Sequence, residues 1–229
     1  MGANAQTAVP VFTSGQVLTA AQVTQINTGI PVFATTTTRD AAFGGIGEKT
    51  LAEGQFAYIE ATNTTQYYDG ASWLGLGGKL GQVVSTIKSD TFTMASTTYA
   101  TVTGLSATIT PTATSSKIYI VASLVAVGQS ATLRGAARLI RDSTAIAVPA
   151  AAGSRTVGTT IIPLGGAAEI YSSNLTFLDS PASTSALVYA VQVRGTDAGT
   201  IYVNRSEADV DASSYVRTVS TITVMEILA

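Results

Sequence analysis

Three carboxylates near the C-terminus are the side chains whose types and spacing come closest to a metal site. Glu207, Asp209 and Asp211 are spaced two residues apart, so an extended backbone would point all three the same way. Clustered carboxylate oxygens suit Ca²⁺, but no calcium-loop glycine and no further acidic ligand stands nearby in the sequence. These residues are the candidates for a metal site, and a solvated loop is the preferred interpretation.

A glycine-rich segment at residues 44–50 invites comparison with a phosphate-binding loop. It reads Gly-Gly-Ile-Gly-Glu-Lys-Thr, whereas a Walker motif needs glycine, lysine and threonine to be contiguous. Glu48 interrupts that run and adds a negative charge where phosphate would bind. The segment is therefore predicted to be a plain loop.

The chain contains neither histidine nor cysteine. These absences remove the commonest general base, the thiol nucleophile and the usual zinc ligands. Glycoside hydrolysis remains chemically open because two carboxylates suffice for it, but the acids are too few and too scattered to nominate a pair. We predict no enzymatic activity, no catalytic residue and no cofactor, and keep a polysaccharide depolymerase as an alternative from a different class.

Three arginines lie close together in the sequence. On a strand, Arg134 and Arg138 would share one face and Arg141 would take the other, so they do not make one basic patch. The net charge of −2 and the pI near 5.0 supply no general attraction to nucleic acid. We expect solvated arginines and no nucleic-acid partner.

Four aromatic residues, Tyr58, Tyr67, Tyr68 and Trp73, occur within a short stretch. Aromatic rings on a surface can stack against sugars, but in a small sheet such residues more often supply the only core available. We favour the core interpretation.

Composition limits the class of protein. Charged residues make up 11% of the chain and hydrophobic residues 46%, whereas charged residues are roughly a quarter of an ordinary domain. The longest uncharged run, residues 118–133, is shorter than a bilayer span and contains polar residues, so no membrane insertion is expected. The lack of cysteine and of a signal-like N-terminus indicates synthesis in a reducing cytoplasm.

The clearest helix start is Thr19. Thr19 and Gln22 are spaced as a capping box, with Leu18 and Val23 at hydrophobic-staple spacing, so a short helix is predicted over residues 19–28. A helix this short is marginal alone, and its apolar side chains need a partner surface. We predict an attachment interface to another protein at Leu18, Val23, Ile26 and Ile30.

The rest of the N-terminal part predicts a small β-sheet. Residues 35–42 contain a cap and one helical turn, and residues 55–76 form a β-meander with a tight Asp69-Gly70 turn, where glycine accepts positive φ. The glycine-rich residues 75–81 are typical of a linker. We predict two domains, residues 1–78 as an N-terminal module and residues 79–229 as a β-domain.

The second part alternates short strands with turn residues. Residues 187–194 alternate at period two, residues 195–199 suit a hairpin loop, and residues 200–203 resume strand composition, so these two strands are predicted to pair antiparallel. Further strands are predicted over residues 82–87, 91–94, 99–102, 107–110, 117–127 and 216–228, with a hairpin at residues 139–146 and a long loop at residues 149–166. The predicted fold class is mainly β: an antiparallel, jelly-roll-like β-sandwich preceded by a small module with one short helix and a β-meander.

One strand of this sandwich is apolar on both faces. Ile118, Ile120, Ala122, Leu124 and Ala126 share one face of residues 117–127, which a single chain can bury in its own core. The opposite face would then expose an apolar strip to water. Because identical subunits in a closed ring cover such a strip, we predict a homo-oligomer. The residues predicted at its interface are Tyr119, Val121, Val125 and Val127.

Several short motifs occur in both parts of the chain. The N-terminal part contains residues 12–21 (FTSGQVLTAA), 38–43 (TRDAAF), 54–58 (GQFAY) and 68–73 (YDGASW). The second part contains residues 115–118 (SSKI), 138–142 (RLIRD), 178–181 (LDSP), 189–193 (YAVQV) and 220–226 (STITVME). These two sets resemble the N-terminal module and the C-terminal β-domain of tailed-bacteriophage virion appendage proteins of the tail-fibre and head-fibre type.

The resemblance implies a structural and adhesive role in a phage particle, with homotrimeric assembly. The N-terminal module would contact other virion proteins, and the β-domain would point outward toward a host-surface glycan or protein. The expected function is a fibre-type appendage synthesised in the host cytoplasm, and the alternative is a capsid decoration or head-fibre protein.

Overall fold

The computed structural model describes residues 13–20, 29–45, 49–129, 134–197 and 199–228. The chain divides into two compact units, Met1–Gly78 and Lys79–Ala229. Both units are built mainly of β-strands in antiparallel pairs, so the predicted mainly-β class is confirmed.

The first unit is a small sheet with one helical turn beside it. Its elements are β1 (Val32–Phe33), helix α1 (Thr36–Asp40), β2 (Phe56–Ile59), a 3-10 turn (Glu60–Thr62), β3 (Thr64–Tyr68) and β4 (Trp73–Gly75). The strands are ordered β1-β2-β3-β4, with β1 parallel to β2 and the other pairs antiparallel. Phe33, Ala42, Ala57 and Ile59 are fully buried and form its core.

Helix α1 begins at a capping box. The Thr35 hydroxyl accepts a hydrogen bond from the Thr38 amide at 3.2 Å, and the Thr38 hydroxyl accepts one from the Thr35 amide at 3.0 Å. Two otherwise unpaired donors are satisfied in this way, which lets so short a helix form. The single turn predicted at residues 35–42 is thus confirmed, whereas the helix predicted over residues 19–28 lies almost entirely outside the described residues.

Asp69 and Gly70 explain the tight turn between β3 and β4. The Asp69 carboxylate accepts hydrogen bonds from the amides of Ser72 at 2.7 Å and Ala71 at 2.9 Å, and these bonds lower the pKa of Asp69. Gly70 has a φ of 96°, which a residue with a side chain rarely adopts. The predicted Asp-Gly hairpin is confirmed.

The second unit contains eleven strands within its described residues. They are β5 (Leu80–Lys88), β6 (Phe92–Ala95), β7 (Ala100–Ile109), β8 (Lys117–Gly128), β9 (Gly135–Arg141), β10 (Thr144–Ile146), β11 (Thr160–Ile162), β12 (Tyr171–Asp179), β13 (Leu187–Gly195), β14 (Thr200–Val203) and β15 (Ser220–Ile227). They form one six-stranded and one five-stranded sheet.

The six-stranded sheet is organised around β8. β12 pairs along one edge of β8, while β15 and then β14 pair along the other. β5 extends the sheet beyond β15, and β6 extends it beyond β14. In the five-stranded sheet, β9 and β13 are central, β7 flanks β13, and β10 and β11 share the outer edge of β9.

Inward-facing side chains of the two sheets make one apolar core, as expected of a sandwich. The alternation predicted for residues 117–127 and 187–194 is confirmed, because the inward residues of both strands are buried and the outward ones alternate with them. The inward set includes Ile118, Ile120, Ala122 and Leu124 of β8, Tyr189, Val191 and Val193 of β13, and Ile222 and Val224 of β15.

The predicted hairpin between residues 187–194 and 200–203 is wrong. Both segments are strands, but β13 pairs with β7 and β9 in one sheet, and β14 pairs with β6 and β8 in the other. Residues 195–199 therefore carry the chain across the sandwich. Because about 10 Å separates packed sheets, five residues are enough for that crossing, so loop length alone does not distinguish it from a hairpin.

The predicted closing strand at residues 216–228 begins later, at Ser220. The cause is Asn204, which adopts a left-handed φ of 63° at the end of β14. Its side-chain amide donates to the carbonyls of Lys88 at 2.8 Å and Asp90 at 2.9 Å, and its carbonyl accepts from the Ser220 hydroxyl at 2.7 Å. These bonds hold the start of β15 at Ser220.

Two other boundaries differ from prediction. Residues 99–102 and 107–110 belong to the single strand β7, which is interrupted by an irregular register beside Gly104, where φ is 81°. The loop predicted at residues 149–166 contains the short strand β11, which pairs with β9.

The predicted linker at residues 75–81 is shortened at both ends by strands. Gly75 ends β4, and Gly81 lies inside β5. A Cβ at Gly81 would stand 2.9 Å from the Glu226 carboxylate, so a larger residue here would have to displace the Glu226 side chain.

Candidate functional site

The clearest surface for binding another molecule is the outer face of the six-stranded sheet. The strand register places Leu178, Tyr119, Met225 and Val83 side by side across β12, β8, β15 and β5. Leu178 is 45% exposed, Tyr119 37% and Val83 53%. An apolar row therefore crosses four strands and faces solvent.

On one side of this row, toward Ser172, the face is uncharged as well, whereas Lys117 lies exposed on the other side, two residues before Tyr119. Hydroxyl groups pair across strands, Ser85 with Thr223 at 2.9 Å and Ser123 with Ser172 at 3.1 Å. We call the following set the uncharged face: Ser172, Asn174, Thr176 and Leu178 of β12, Tyr119, Val121, Ser123 and Val125 of β8, Thr221, Thr223 and Met225 of β15, and Val83, Ser85 and Ile87 of β5.

Three of the four residues predicted at an oligomer interface lie on this face. Tyr119 is exposed, and Val121 and Val125 are half-buried. Val127 is 0% exposed, so its predicted exposure is wrong. Its side chain packs against residues near Gly165, where an added Cβ would come within 2.6 Å of the Val127 methyl. The sequence could not show that the chain folds back over this end of β8.

Sequence reasoning missed the apolar members of the uncharged face on the three other strands, namely Leu178, Met225, Val83 and Ile87. Period-two alternation is visible in these strands, but their placement beside β8 depends on register between distant segments.

The candidate metal residues occupy a loop and do not converge. Asp209 has a left-handed φ of 49°, which breaks the extended geometry that would have aligned the three carboxylates. Its carboxylate receives two hydrogen bonds from Arg217, at 2.5 Å and 2.6 Å, and lies 3.4 Å from Arg205. In the part of the chain that the structure describes, no three acidic side chains are grouped to hold a metal ion.

Two of the three arginines, Arg138 and Arg141, lie in different environments. Arg138 points outward from the five-stranded sheet, and its Nε donates to Gln192 at 2.8 Å. Arg141 points toward the other sheet, as its opposite strand parity required, but it is paired with Asp179 at 2.7 Å. The predicted separation of Arg138 from Arg141 is confirmed, and the predicted solvation of Arg141 is wrong.

Arg141 belongs to a polar network that joins the two sheets. Oδ2 of Asp179 on β12 accepts from Arg141 Nη1 on β9 at 2.7 Å and from the Tyr189 hydroxyl on β13 at 2.8 Å. The side chain of Asp179 is 9% exposed, and Tyr189 is fully buried. Burial, followed by the hydrogen bond to Asp179, raises the pKa of Tyr189 well above its ordinary value.

A second buried carboxylate also has a structural partner. Glu226 is 0% exposed, and its Oε1 accepts from the amide and hydroxyl of Thr112 at 2.6 Å and 2.7 Å. Burial by itself raises the pKa of Glu226, but the hydrogen bonds outweigh it and the net pKa is lowered. The carboxylate is therefore held in its charged form as an acceptor that ties β15 to the turn before β8.

The aromatic set of the first unit is split between the two faces of its sheet. Trp73 packs on the core side, with ring centroids 5.8 Å from Phe43 and 5.5 Å from Tyr68, and the Arg39 guanidinium lies 4.6 Å from its ring centre. Tyr58 and Tyr67 lie on the opposite side by register. The core interpretation holds for Tyr68 and Trp73 and not for Tyr58 and Tyr67.

The predicted attachment residues are described only in part. Leu18 is 39% exposed and Ile30 is 38% exposed, while Val23 and Ile26 lie outside the described residues. No helix in the described segments is long and apolar enough to cross a membrane.

Comparison with known proteins places the chain in no family. No protein-family model matches the sequence, and no curated protein matches it. The resemblance to phage appendage proteins therefore stays a hypothesis.

Similar solved structures come from infectious bursal disease virus. The Gx strain structure is 13% identical over 76% of this chain and 42% of that chain, with a TM-score of 0.35. A mutant VP2 protein from derived T=1 particles is 13% identical over 84% and 54%, with a TM-score of 0.31. Another derived T=1 particle structure is 11% identical over 84% and 51%, with a TM-score of 0.36.

The chain spans about half the length of these solved structures. Identities and TM-scores this low define neither a family nor a function. The function therefore rests on the chain's own residues.

Replacing Arg141 with Met should destabilise the sandwich by about 3 kcal/mol, because Asp179 would remain buried without its cation. Arg138→Met makes the same change on the same strand, but its side chain faces outward and has no carboxylate partner among the described residues. We expect it to cost about 1 kcal/mol or less. Urea unfolding of both variants measures the difference, and equal losses would contradict a structural role for the network.

Because the pKa of Tyr189 is raised, we expect the folded protein to lose stability at high pH. Tyr189 in the unfolded chain ionises near the ordinary value of about 10, so its contribution is complete below pH 10 and declines above it. Tyr189→Phe should cost about 1–2 kcal/mol at pH 7 through the lost hydrogen bond. The stability difference between wild type and variant should shrink above pH 10, as measured by urea unfolding from pH 7 to 11. A constant difference over that range would contradict the buried phenol.

Proposed function

We propose that the chain is a structural protein of a bacteriophage particle, a fibre-type appendage whose β-sandwich assembles as a homotrimer. The observation that carries this proposal is the uncharged face. Apart from Lys117 at the start of β8, the four strands of this face have no charged outward residue, and an exposed apolar row crosses them; such a surface is typically covered by another protein.

Covering the apolar row of this face is energetically favourable. Each square ångström of apolar surface removed from water contributes about 25 cal/mol, and Leu178, Tyr119 and Val83 of this row are exposed. Identical copies in a closed ring cover that row without open-ended growth. The subunit number of three comes from the resemblance to phage appendage proteins.

The two units suggest a division of roles. The first unit, with Leu18, Val23, Ile26 and Ile30, would attach to other virion proteins, and the second would project from the particle. The boundary between Gly78 and Lys79 supports this arrangement because each unit has its own buried core. A host-surface glycan or protein is the expected outward partner.

A structural role also agrees with how the carboxylates are used. Asp179, Glu226 and Asp209 are each held by arginine or threonine donors. A glycosidase needs two carboxylates that face one substrate, and these three serve separate contacts. The same architecture could instead belong to a capsid decoration or head-fibre protein, which differs in its location on the particle. A polysaccharide depolymerase is the alternative with an enzymatic function.

Replacing Val83 with Lys should dissociate the oligomer. Val83 is 53% exposed in the single chain, so a lysine there is tolerated by a monomer but would be buried unpaired in the assembly at a cost of several kcal/mol. Light scattering should give about three times the 23.3 kDa chain mass for wild type and the single-chain mass for the variant.

Val188→Lys is the matched control for this substitution. Val188 is a 40% exposed valine on the outer face of the five-stranded sheet, so the lysine should leave the oligomer intact. A wild-type monomer at micromolar concentration, or loss of assembly in both variants, would count against the uncharged face as the interface.

Gold-labelled antibodies against the second unit should bind at fibres on the tail of particles that contain the chain. Electron microscopy of labelled particles provides the measurement. Label distributed over the capsid would favour the decoration alternative. Release of reducing ends from host glycan by the purified protein would favour the depolymerase.

A further inference from the structure

Two arginines and a tyrosine form a cluster on the outer face of the five-stranded sheet, opposite the uncharged face. Arg138 on β9 pairs with Gln192 on β13, and Arg194 follows two residues later on β13. Both side chains therefore lie on the outer face as diagonal neighbours. Tyr99 comes directly before β7, which pairs with β13 at Ala100 and Val193.

The two guanidinium groups share the Tyr99 ring. Cζ of Arg138 lies 3.9 Å from the ring centre and Cζ of Arg194 lies 5.7 Å from it. Both distances are within the range of cation–π contact. Contact with one ring fixes the two positive groups near each other.

The tyrosine is itself held in place. Its hydroxyl donates to the Val157 carbonyl at 2.5 Å. A Cβ at Gly158 would stand 2.8 Å from that hydroxyl, so the loop before β11 fits closely against the hydroxyl end of Tyr99. The cluster is therefore a built arrangement and not a set of freely moving surface side chains.

Among the described residues, both arginines form hydrogen bonds through Nε, which leaves their outer nitrogens available. Nε of Arg138 donates to Gln192 at 2.8 Å, and Gln192 in turn donates to Thr101 at 3.2 Å. Nε of Arg194 donates to the Gly195 carbonyl at 3.1 Å. Among the described residues, the ion pairs involve neither arginine.

Two like charges on neighbouring sheet positions repel each other. The chain has only 12 lysines and arginines in 229 residues, and elsewhere Arg141 and Arg217 are paired with aspartate. Among the described residues, the Arg138–Arg194 cluster lacks the carboxylate partner that Arg39, Arg141, Arg205 and Arg217 have. Guanidinium forks match carboxylate oxygens in two parallel hydrogen bonds.

We propose that Arg138 and Arg194, positioned by Tyr99 and Gln192, bind the carboxylate of an acidic saccharide. The pI near 5.0 and net charge of −2 disfavour a long phosphate polymer, which needs an extended basic surface. A local pair of forks suits a single carboxylate on a sugar ring. This inference specifies the outward partner in the proposed function, but the site itself does not depend on particle attachment or on the trimer.

Isothermal titration of the full chain with tetragalacturonate tests the proposal. Wild type should bind this oligosaccharide, and its fully methyl-esterified form, which has the same rings without charge, should bind at least tenfold more weakly. Arg138→Gln and Arg194→Gln should each weaken binding about tenfold or more, since each loses a charge-assisted hydrogen-bond pair. Arg217→Gln removes the same charge elsewhere and should change affinity less than about twofold.

The controls distinguish recognition of a sugar carboxylate by this cluster from general attraction between charges. No binding by wild type, equal binding of the esterified sugar, or wild-type affinity in Arg138→Gln would each overturn the proposal. Tighter binding of inorganic phosphate or of a DNA duplex than of tetragalacturonate would overturn the sugar assignment. Light scattering of the same variants should give the wild-type mass, so failure of this site is distinguishable from failure of the assembly. Comparing tetragalacturonate with its methyl-esterified form on the wild-type protein tests carboxylate recognition even if a variant misfolds.

Discussion

The buried carboxylate of Asp179 is the constraint on which the sandwich depends. One oxygen receives hydrogen bonds from Arg141 and Tyr189, which lie on two strands of the opposite sheet. Because a buried carboxylate without partners costs several kcal/mol, the sheets can face each other at this end in only one alignment. Apolar packing elsewhere in the core is less selective, since hydrophobic contact has no direction. The network therefore sets how the sheets meet, and the apolar core supplies most of the burial.

With both inner faces committed to the core, the two outer faces differ in what they can bind. On the outer face of the six-stranded sheet, the strands β12, β8, β15 and β5 have no charged side chain between the row of residues at Leu178 and the row at Ser172. The outer face of the five-stranded sheet holds Arg138 and Arg194 against Tyr99. In a chain with 11% charged residues, this separation is the basis for proposing protein contact at one face and anion contact at the other.

The sequence predicted features that depend on neighbouring residues. Period-two alternation located the strands, and the capping box at Thr35 and the Asp69-Gly70 turn were local patterns with local causes. Pairing partners were not predictable, because β13 and β14 are close in the chain but belong to different sheets. Arg141 illustrates the same limit: strand parity turned it away from Arg138, but its partner Asp179 lies 38 positions away. The outward position of Tyr119, Val121 and Val125 on β8 was predictable from alternation, whereas the three strands that distant pairing brings beside β8 were not.

The Asp179 network and the uncharged face are connected through one strand. Leu178 and Asp179 are adjacent on β12 and point to opposite faces, Leu178 into the apolar row and Asp179 into the network. A shift of β12 by one residue would turn a carboxylate outward and remove Leu178 from its place beside Tyr119. The bonds from Arg141 and Tyr189 oppose that shift. The same interaction that aligns the two sheets therefore also fixes the geometry of the surface that identical subunits would share.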